Sequence, residues 1–388
     1  MLEIIYIILS AFGVLALLAG IYFAFAEFSF QRKYSRDLKE NFSYEPSVSV
    51  IAPTKGPEPG LEKKIRSIIS QNYPKEKVQY IFVLDSKDDP AHDIIKKLIR
   101  KNMKIVIAKP LPRCSGKISA LLSGIGHAKN EVLVFADTDG FVRNNWLRSL
   151  ASRLEIADVS SGIRFYLPGK TWKSYIRSSW NSAAINLIFG KWKFVMGSSF
   201  AIRRKDFDRL RVADTWKHAI SDDLSLTTKI KEAGMRISHA PQCVLYNADS
   251  FRFKDFLEFS NRQTIIMKSC IPGLHKLGFF LMPGRCFLML LGIVSLALGI
   301  YLPAALMLSL VPLYVLKEYI AFRGYGKNIH VTGNQLKYAI AGVSALFISA
   351  YNVVVAFRRN TVVWRGRRYK INGPEDVEIL ETKSASLA

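Results

Sequence analysis

Three acidic clusters carry residue types that could do chemistry: Asp85-Ser-Lys-Asp88-Asp89-Pro90, Asp137-Thr138-Asp139-Gly140 and Ser221-Asp222-Asp223-Leu224. Aspartate is common in turns and at helix N-termini, so each cluster alone also reads as local structure. Asp137 and Asp139 resist that reading most. They follow the apolar run Val132-Leu-Val-Phe-Ala136, and two carboxylates at a strand end repel each other without a cation. Hard divalent cations such as Mg2+ or Mn2+ take a few carboxylate oxygens together with substrate phosphates. In a chain with 55 Lys+Arg against 31 Asp+Glu, this D-x-D suggests a nucleotide diphosphate held through metal by Asp139, with Asp137 beside it. A nucleotide diphosphate also needs a polar wall for its base and ribose, for which Pro53, Thr54, Asp85 and Lys117 are placed. An acceptor hydroxyl needs a carboxylate within reach to take its proton.

The elements that must position these residues are legible from Ser47 to Ser250. Val48–Ala52, Tyr80–Leu84, Lys104–Ala108 and Val132–Ala136 are short, almost wholly apolar runs that predict buried strands. Between them, Leu61–Gln71, Ala91–Lys101 and Ile118–Ala128 have helical spacing of their apolar residues. Such alternation predicts an α/β domain with a mostly parallel sheet, whose ligands sit at the carboxyl ends of the strands. Asp85 and Asp137 follow strands directly, and Ser221-Asp222-Asp223 opens a predicted helix that runs to about Gly234.

These residues resemble the family-2 type glycosyltransferases, and most closely their ceramide glucosyltransferase branch. Val48-Ser-Val-Ile-Ala-Pro-Thr-Lys with Leu61, Ser67 and Gln71-Asn-Tyr-Pro74 is similar to the family's first strand, helix and turn. Asp85 to Pro90 resembles the segment of its first aspartate, and Gly116-Lys117 followed by Ala120-Leu121 its G-K-x-x-A-L. Val195-Met-Gly197-Ser198-Ser199 through Arg203-Arg204-Lys-Asp206, then Ser221-Asp222-Asp223, resemble two later segments. Val363-Trp364-Arg365-Gly-Arg367-Arg-Tyr369 resembles the branch's basic tail. Ile265 and Ile266 stand where the family often has Arg-Trp, while Arg262 and Gln263 keep the start of that motif. The resemblance implies a Rossmann-like glycosyltransferase A-type fold. It also implies Asp85 and Lys117 at the nucleotide, Asp223 as the base of an inverting transfer, and Asp222, Arg262 and Gln263 near the acceptor or leaving diphosphate.

Hydrophobic residues make up 49% of the 388 and charged residues 22%, so apolar and polar stretches must be segregated along the chain. Ile4 to Ala26 is 23 residues without a charge, enough to cross a hydrocarbon core of ~30 Å. It lacks a basic n-region and a small-x-small site, which predicts a retained anchor rather than a cleaved signal. The basic stretch Gln31–Arg36 after it places the N-terminus outside and the polar domain in the cytoplasm. Phe251–Lys268 reads as an interfacial amphipathic helix. Cys286–Leu316 is an uncharged run of 31 that Gly299, Tyr301 and Pro303 break into two spans, and Tyr338–Phe357 is another of 20. Three such spans would put the basic tail outside, whereas its arginines prefer the cytoplasm. The expected organisation is an anchor over residues 1–28, a transferase domain over 29–270, membrane segments over 271–357 and a basic tail over 358–388.

The four cysteines have no C-x-x-C spacing, which argues against a zinc cluster. No RNP-like, zinc-finger or helix-turn-helix signature accompanies the excess charge, and Arg358, Arg359, Arg365, Arg367 and Arg368 suit anionic headgroups, so no nucleic-acid partner is expected. The expected function is a membrane glycosyltransferase that moves a hexose, glucose by the resemblance, from a UDP-sugar to a lipid hydroxyl with Mg2+ or Mn2+. Transfer to a polyprenyl phosphate, a processive polysaccharide synthase and a non-catalytic membrane scaffold are the alternatives.

Overall fold

Both faces of the central sheet are covered, which is why its strands read as continuous apolar runs rather than alternating ones. The computed structural model describes residues 2–56, 58–190, 192–329 and 333–382. The helix α1 (Leu2–Asp37) leads into β1 (Val48–Pro53), α2 (Leu61–Ile69), β2 (Val78–Leu84), α3 (Ala91–Lys96), β3 (Met103–Ile107), α4 (Gly116–Ile125) and β4 (Val132–Ala136). Next come α5 (Trp146–Ser152), β5 (Val159–Tyr166), α6 (Trp172–Phe189), β6 (Ser199–Arg203), α7 (Arg204–Arg209), α8 (Val212–Trp216), α9 (Asp222–Glu232) and β7 (Ile237–Asn247).

The strand order is β3-β2-β1-β4-β6-β5-β7. β1 to β4 pair in parallel, as the apolar runs predicted, and β6 is inserted antiparallel to both β4 and β5. Val50, Ala52, Phe82 and Val134 pack under one face with Ile65, Ile68 and Trp146. Ile51, Ile81, Val83, Leu133 and Phe135 pack under the other with Ile118, Leu121, Trp216 and Leu226. Truncating one such side chain, for example Phe82→Ala, costs about 3–5 kcal/mol. The four expected strands are all present within two residues of their predicted limits. α3 is shorter than its apolar spacing suggested, ending at Lys96. α4 starts earlier, at Gly116, because the Ser115 hydroxyl accepts from Ile118 N at 3.3 Å and caps it.

The chain forms two compact units. One holds Asp37–Phe165, Leu187–Asp249 and the described residues from Asn360 onward. The other holds the described residues up to Arg36, Tyr166–Asn186 and Ser250–Arg359. This departs from the expected linear division: residues 29–36 and 250–270, expected in the transferase domain, lie in the helical unit, and two further segments also move. Tyr166–Asn186, expected within the transferase domain, belongs to the helical unit. The tail, expected as a separate basic extension, is a three-stranded antiparallel sheet of β8 (Thr361–Trp364), β9 (Arg367–Gly373) and β10 (Asp376–Thr382) within the α/β unit. Val362, Tyr369, Ile371 and Val377 are its buried residues, too few for so small a sheet to stand alone.

The helical unit continues through α10 (Phe253–Cys270), α11 (Pro272–Ala297), α12 (Tyr301–Leu308), α13 (Leu310–Ile329) and α14 (Gln335–Arg358). Among the described residues four segments are long and apolar enough to cross a membrane: Leu2–Asp37, Pro272–Ala297, Tyr301–Gly326 and Gln335–Arg358. The break expected near Gly299 is present, with that glycine at φ +76° between α11 and α12. Inside the unit, Lys317 pairs with Glu318 at 2.6 Å and lies 3.8 Å from Glu27. Gln31 and Asn186 donate to Glu27, and Ser179 to Glu318, so the buried charges are held by partners, as apolar surroundings require.

Candidate active site

β4 is apolar to Ala136, and the acidic turn that follows is tied down on three sides. Asp137 N donates to Ser198 O at 3.1 Å, the Thr138 hydroxyl to Pro53 O at 3.3 Å, and Asn247 Nδ2 to Asp139 O at 2.6 Å. The two carboxylates converge on Arg164 of β5. Its Nη2 lies 2.9 Å from Asp137 Oδ2 and 2.5 Å from Asp139 Oδ1, and its Nη1 lies 3.0 Å from Asp139 Oδ2. The Arg164 side chain is only 12% exposed.

Lys117, the second residue of α4, joins this turn to the start of α9. Its Nζ lies 3.1 Å from Asp137 Oδ1, 3.1 Å from Asp222 Oδ2 and 2.9 Å from Gly197 O. Asp223 lies one residue further into α9, behind the N-cap Ser221. Its Oδ2 accepts from Gly197 N at 2.9 Å, and its Oδ1 accepts from Leu224 N at 2.8 Å and from the Ser221 hydroxyl. Glycine at position 197 is what allows this: a Cβ there would lie 2.8 Å from Asp223 Oδ2 and 3.1 Å from Asp222 Oδ2. Three carboxylates, Asp137, Asp139 and Asp222, therefore share two cations, with Asp223 beside them.

Burial alone would lower the Lys117 ammonium, but Asp137, Asp222 and Asp223 outweigh it and hold the group charged well above its ordinary range. Burial would likewise raise Asp139, yet Arg164, with Arg365 and Lys117 adding to it, keeps that carboxyl below the usual range. Asp222 is the exception. It is 3% exposed, and burial, reinforced by Asp223 and Asp137 against the pull of Lys117, pushes it up to about 7.

On the donor side, Asp85 at the end of β2 pairs with Lys55 at 2.7 Å and with Arg367 at 3.6 Å. Asp89 acts locally, accepting from Gly56 N and Ala91 N at the start of α3. Pro53 and Thr54 continue β1 beside it. Thr54 is buried, with its N–H on Val83 O and its hydroxyl on Ala52 O, so that hydroxyl braces the backbone rather than facing a ligand. Arg262 and Gln263 lie on α10 in the helical unit, where the Arg262 guanidinium sits 5.3 Å from the Phe259 ring centre and Gln263 is exposed.

Sequence reasoning missed Arg164, Lys55 and Arg367 as site residues, and it read Gly197 only as part of a motif. Arg164 had a signal, being the lone charge in the strand Val159-Ser-Ser-Gly-Ile-Arg-Phe-Tyr166.

Among the described residues no group of three His, Cys, Asp or Glu side chains could hold an ion by itself. Asp137 and Asp139 nonetheless suit a hard divalent cation that takes its other ligands from water and phosphate. Both carboxylates already meet at a single positive nitrogen, Arg164 Nη2, which marks where cationic charge is satisfied.

Residues 12–376 match the family model described as glycosyl transferase family 21. The probable glycosyltransferase YdaM of Bacillus subtilis is 26% identical over 233 residues, 56% of this chain and 54% of that protein. The ceramide glucosyltransferase of Candida albicans is 30% identical over 116 residues, 26% of this chain and 21% of that enzyme. The chain thus spans about half or less of the length of these curated relatives. Among solved structures, the mannosyltransferase PcManGT from Pyrobaculum calidifontis, in complex with GDP-Man and Mn2+, aligns over 91% of this chain and 98% of its own. Its TM-score is 0.51 at 17% identity, a likeness of fold. The expected glycosyltransferase A-type architecture with apolar helices towards both ends is thus the observed one.

Proposed function

The chain belongs to glycosyl transferase family 21, and on that premise we propose that it transfers a hexose from a nucleotide sugar to a hydroxyl of a membrane lipid, inverting the anomeric carbon. Likeness to ceramide glucosyltransferases favours glucose and a UDP donor. The observation that carries the reading is the convergence of Asp137, Asp139, Asp222 and Asp223 on Lys117 and Arg164. Four segments long and apolar enough to cross a membrane support a lipid acceptor. The basic stretch after the first of them supports a cytoplasmic catalytic unit, where nucleotide sugars are made.

Asp139, with Asp137, would hold Mg2+ or Mn2+, which when bound neutralises charge developing on the leaving diphosphate. The chain's own groups do the rest. Asp85 and Lys117 bind and orient the nucleotide. Arg164 and Lys117 supply fixed positive charge towards the leaving side, in a site where water is partly excluded. Asp223 accepts the proton of the acceptor hydroxyl as that oxygen bonds to the anomeric carbon and the bond to the diphosphate breaks. Its two oxygens are fixed by Gly197 N and Leu224 N at the start of α9, which holds the carboxylate in one orientation.

The test is incubation of the detergent-purified protein with a panel of nucleotide sugars and a total lipid extract. A hexosylated lipid identified by mass spectrometry supports the reading. Donor turnover that yields only free sugar or a polymer, with no lipid product, overturns it.

A further inference from the structure

The C-terminal sheet reaches the donor side of the site. β8 and β9 are joined by the two-residue turn Arg365-Gly366, with φ +50° and +80°, the left-handed pair that tight hairpins use. That turn is seated on the loop after β1: Lys55 Nζ lies 3.3 Å from Arg365 O, and the Arg365 guanidinium pairs with Glu58. Just beyond the turn, Arg367 is only 18% exposed and stands between the two donor elements. One side of its guanidinium faces Asp85 Oδ2 at 3.6 Å, the oxygen that Lys55 also holds at 2.7 Å. The other side fills the space that Gly116 leaves open, since a Cβ there would lie 2.6 Å from Arg367 Nη1. Two residues on, the Tyr369 hydroxyl accepts from Gly116 N at 3.1 Å, next to Lys117.

We propose that this hairpin is a wall of the nucleotide site and that Arg367 is a positioning residue, fixing Asp85 and the Gly116-Lys117 turn for a nucleoside diphosphate. The inference rests on the glycosyl-transfer reading above. Asp85 held by one mobile lysine could turn away from a ligand. Held between an ammonium and a planar guanidinium, it keeps one orientation. The tail's basic character therefore serves recognition of the donor as well as the docking of the hairpin.

Isothermal titration of the full chain in detergent with Mn2+, using UDP and GDP as probes, tests this. Arg367→Ala should weaken diphosphate binding about tenfold or more, as expected for loss of a charged hydrogen-bonding partner. Arg367→Lys should recover part of that loss. Arg368→Ala should bind as the parent does, because Arg368 is half exposed and faces Glu381 at 3.9 Å. If the alanine variant does not fold, Arg367→Gln, which keeps most of the side chain, should lose affinity to a similar degree. Parent-like affinity in Arg367→Ala or Arg367→Gln, or an equal loss in Arg368→Ala, overturns the proposal while leaving glycosyl transfer intact. A parent protein that binds neither nucleotide removes both.

Discussion

Arg164 closes on both oxygens of Asp139, at 3.0 and 2.5 Å, and reaches Asp137 with the same fork. The acidic turn is thus charge-compensated by the protein itself. A divalent ion entering there must share or displace a guanidinium.

Removing that guanidinium should tighten metal binding. Arg164→Met should bind Mn2+ about tenfold more tightly without nucleotide, because a competing opposite charge beside two carboxylates is gone. Electron paramagnetic resonance of free Mn2+ during titration reads this directly. Unchanged or weaker affinity would mean that Arg164 does not compete for these carboxylates. Asp139→Asn in the same background should lose the gain.

Asp223→Asn keeps size and most of the local hydrogen bonding but cannot accept a proton. It should lower kcat by about 10²–10⁴-fold while nucleotide binding survives. A near-parent rate would shift the base role to Asp222, whose raised carboxyl titrates near neutrality.

Asp222 also predicts a pH dependence of stability. Its carboxyl moves from 3.8 to about 7 on folding, so the folded state binds this proton more tightly than the unfolded one. The stabilisation is complete below about pH 4, falls as pH rises, and levels off above about 7. In chelator, the thermal midpoint of the parent should fall between pH 5 and 8. Asp222→Asn should fall less steeply over the same range, and parallel slopes would count against the shift. The slope is the readout, because the variant also removes one partner of Lys117.

Gly197→Ala places a Cβ against Asp223 and Asp222. A carboxylate pushed off by a fraction of an ångström to an ångström should cost up to about 10²-fold in kcat. Nucleotide affinity should change much less. A variant with parent kcat would show that the pair tolerates displacement.

In the helical unit, Lys317→Met leaves Glu318 and Glu27 buried without their cation. It should destabilise the protein by about 3–5 kcal/mol. Adding Glu27→Gln and Glu318→Gln should restore much of the thermal midpoint. No recovery in the triple variant would assign Lys317 another role.

The strands that carry the site were legible because both faces of the sheet are covered, which leaves uninterrupted runs such as Val132–Ala136. The acidic residues were legible because they sit at the ends of those runs. β5, β6 and β7 were not, since they mix serine, glycine, histidine and arginine with their apolar residues. Arg164 meets its carboxylates from 25 and 27 residues away, a pairing that no local pattern announces. The tail is the larger gap. A basic extension reads as attraction to headgroups, whereas Arg365 O meets Lys55 across 310 residues of sequence through a docked hairpin.

That docked hairpin also constrains how the chain is threaded. The polypeptide leaves the α/β unit after Asp249 and rejoins it at Asn360. A chain that departs from and returns to a unit on one side of a bilayer passes through it an even number of times. Three candidates lie in between, Pro272–Ala297, Tyr301–Gly326 and Gln335–Arg358. If the whole α/β unit lies on one side of a bilayer, as the cytoplasmic placement proposed above requires, an even number of these three traverses the membrane and one re-enters or lies along its surface.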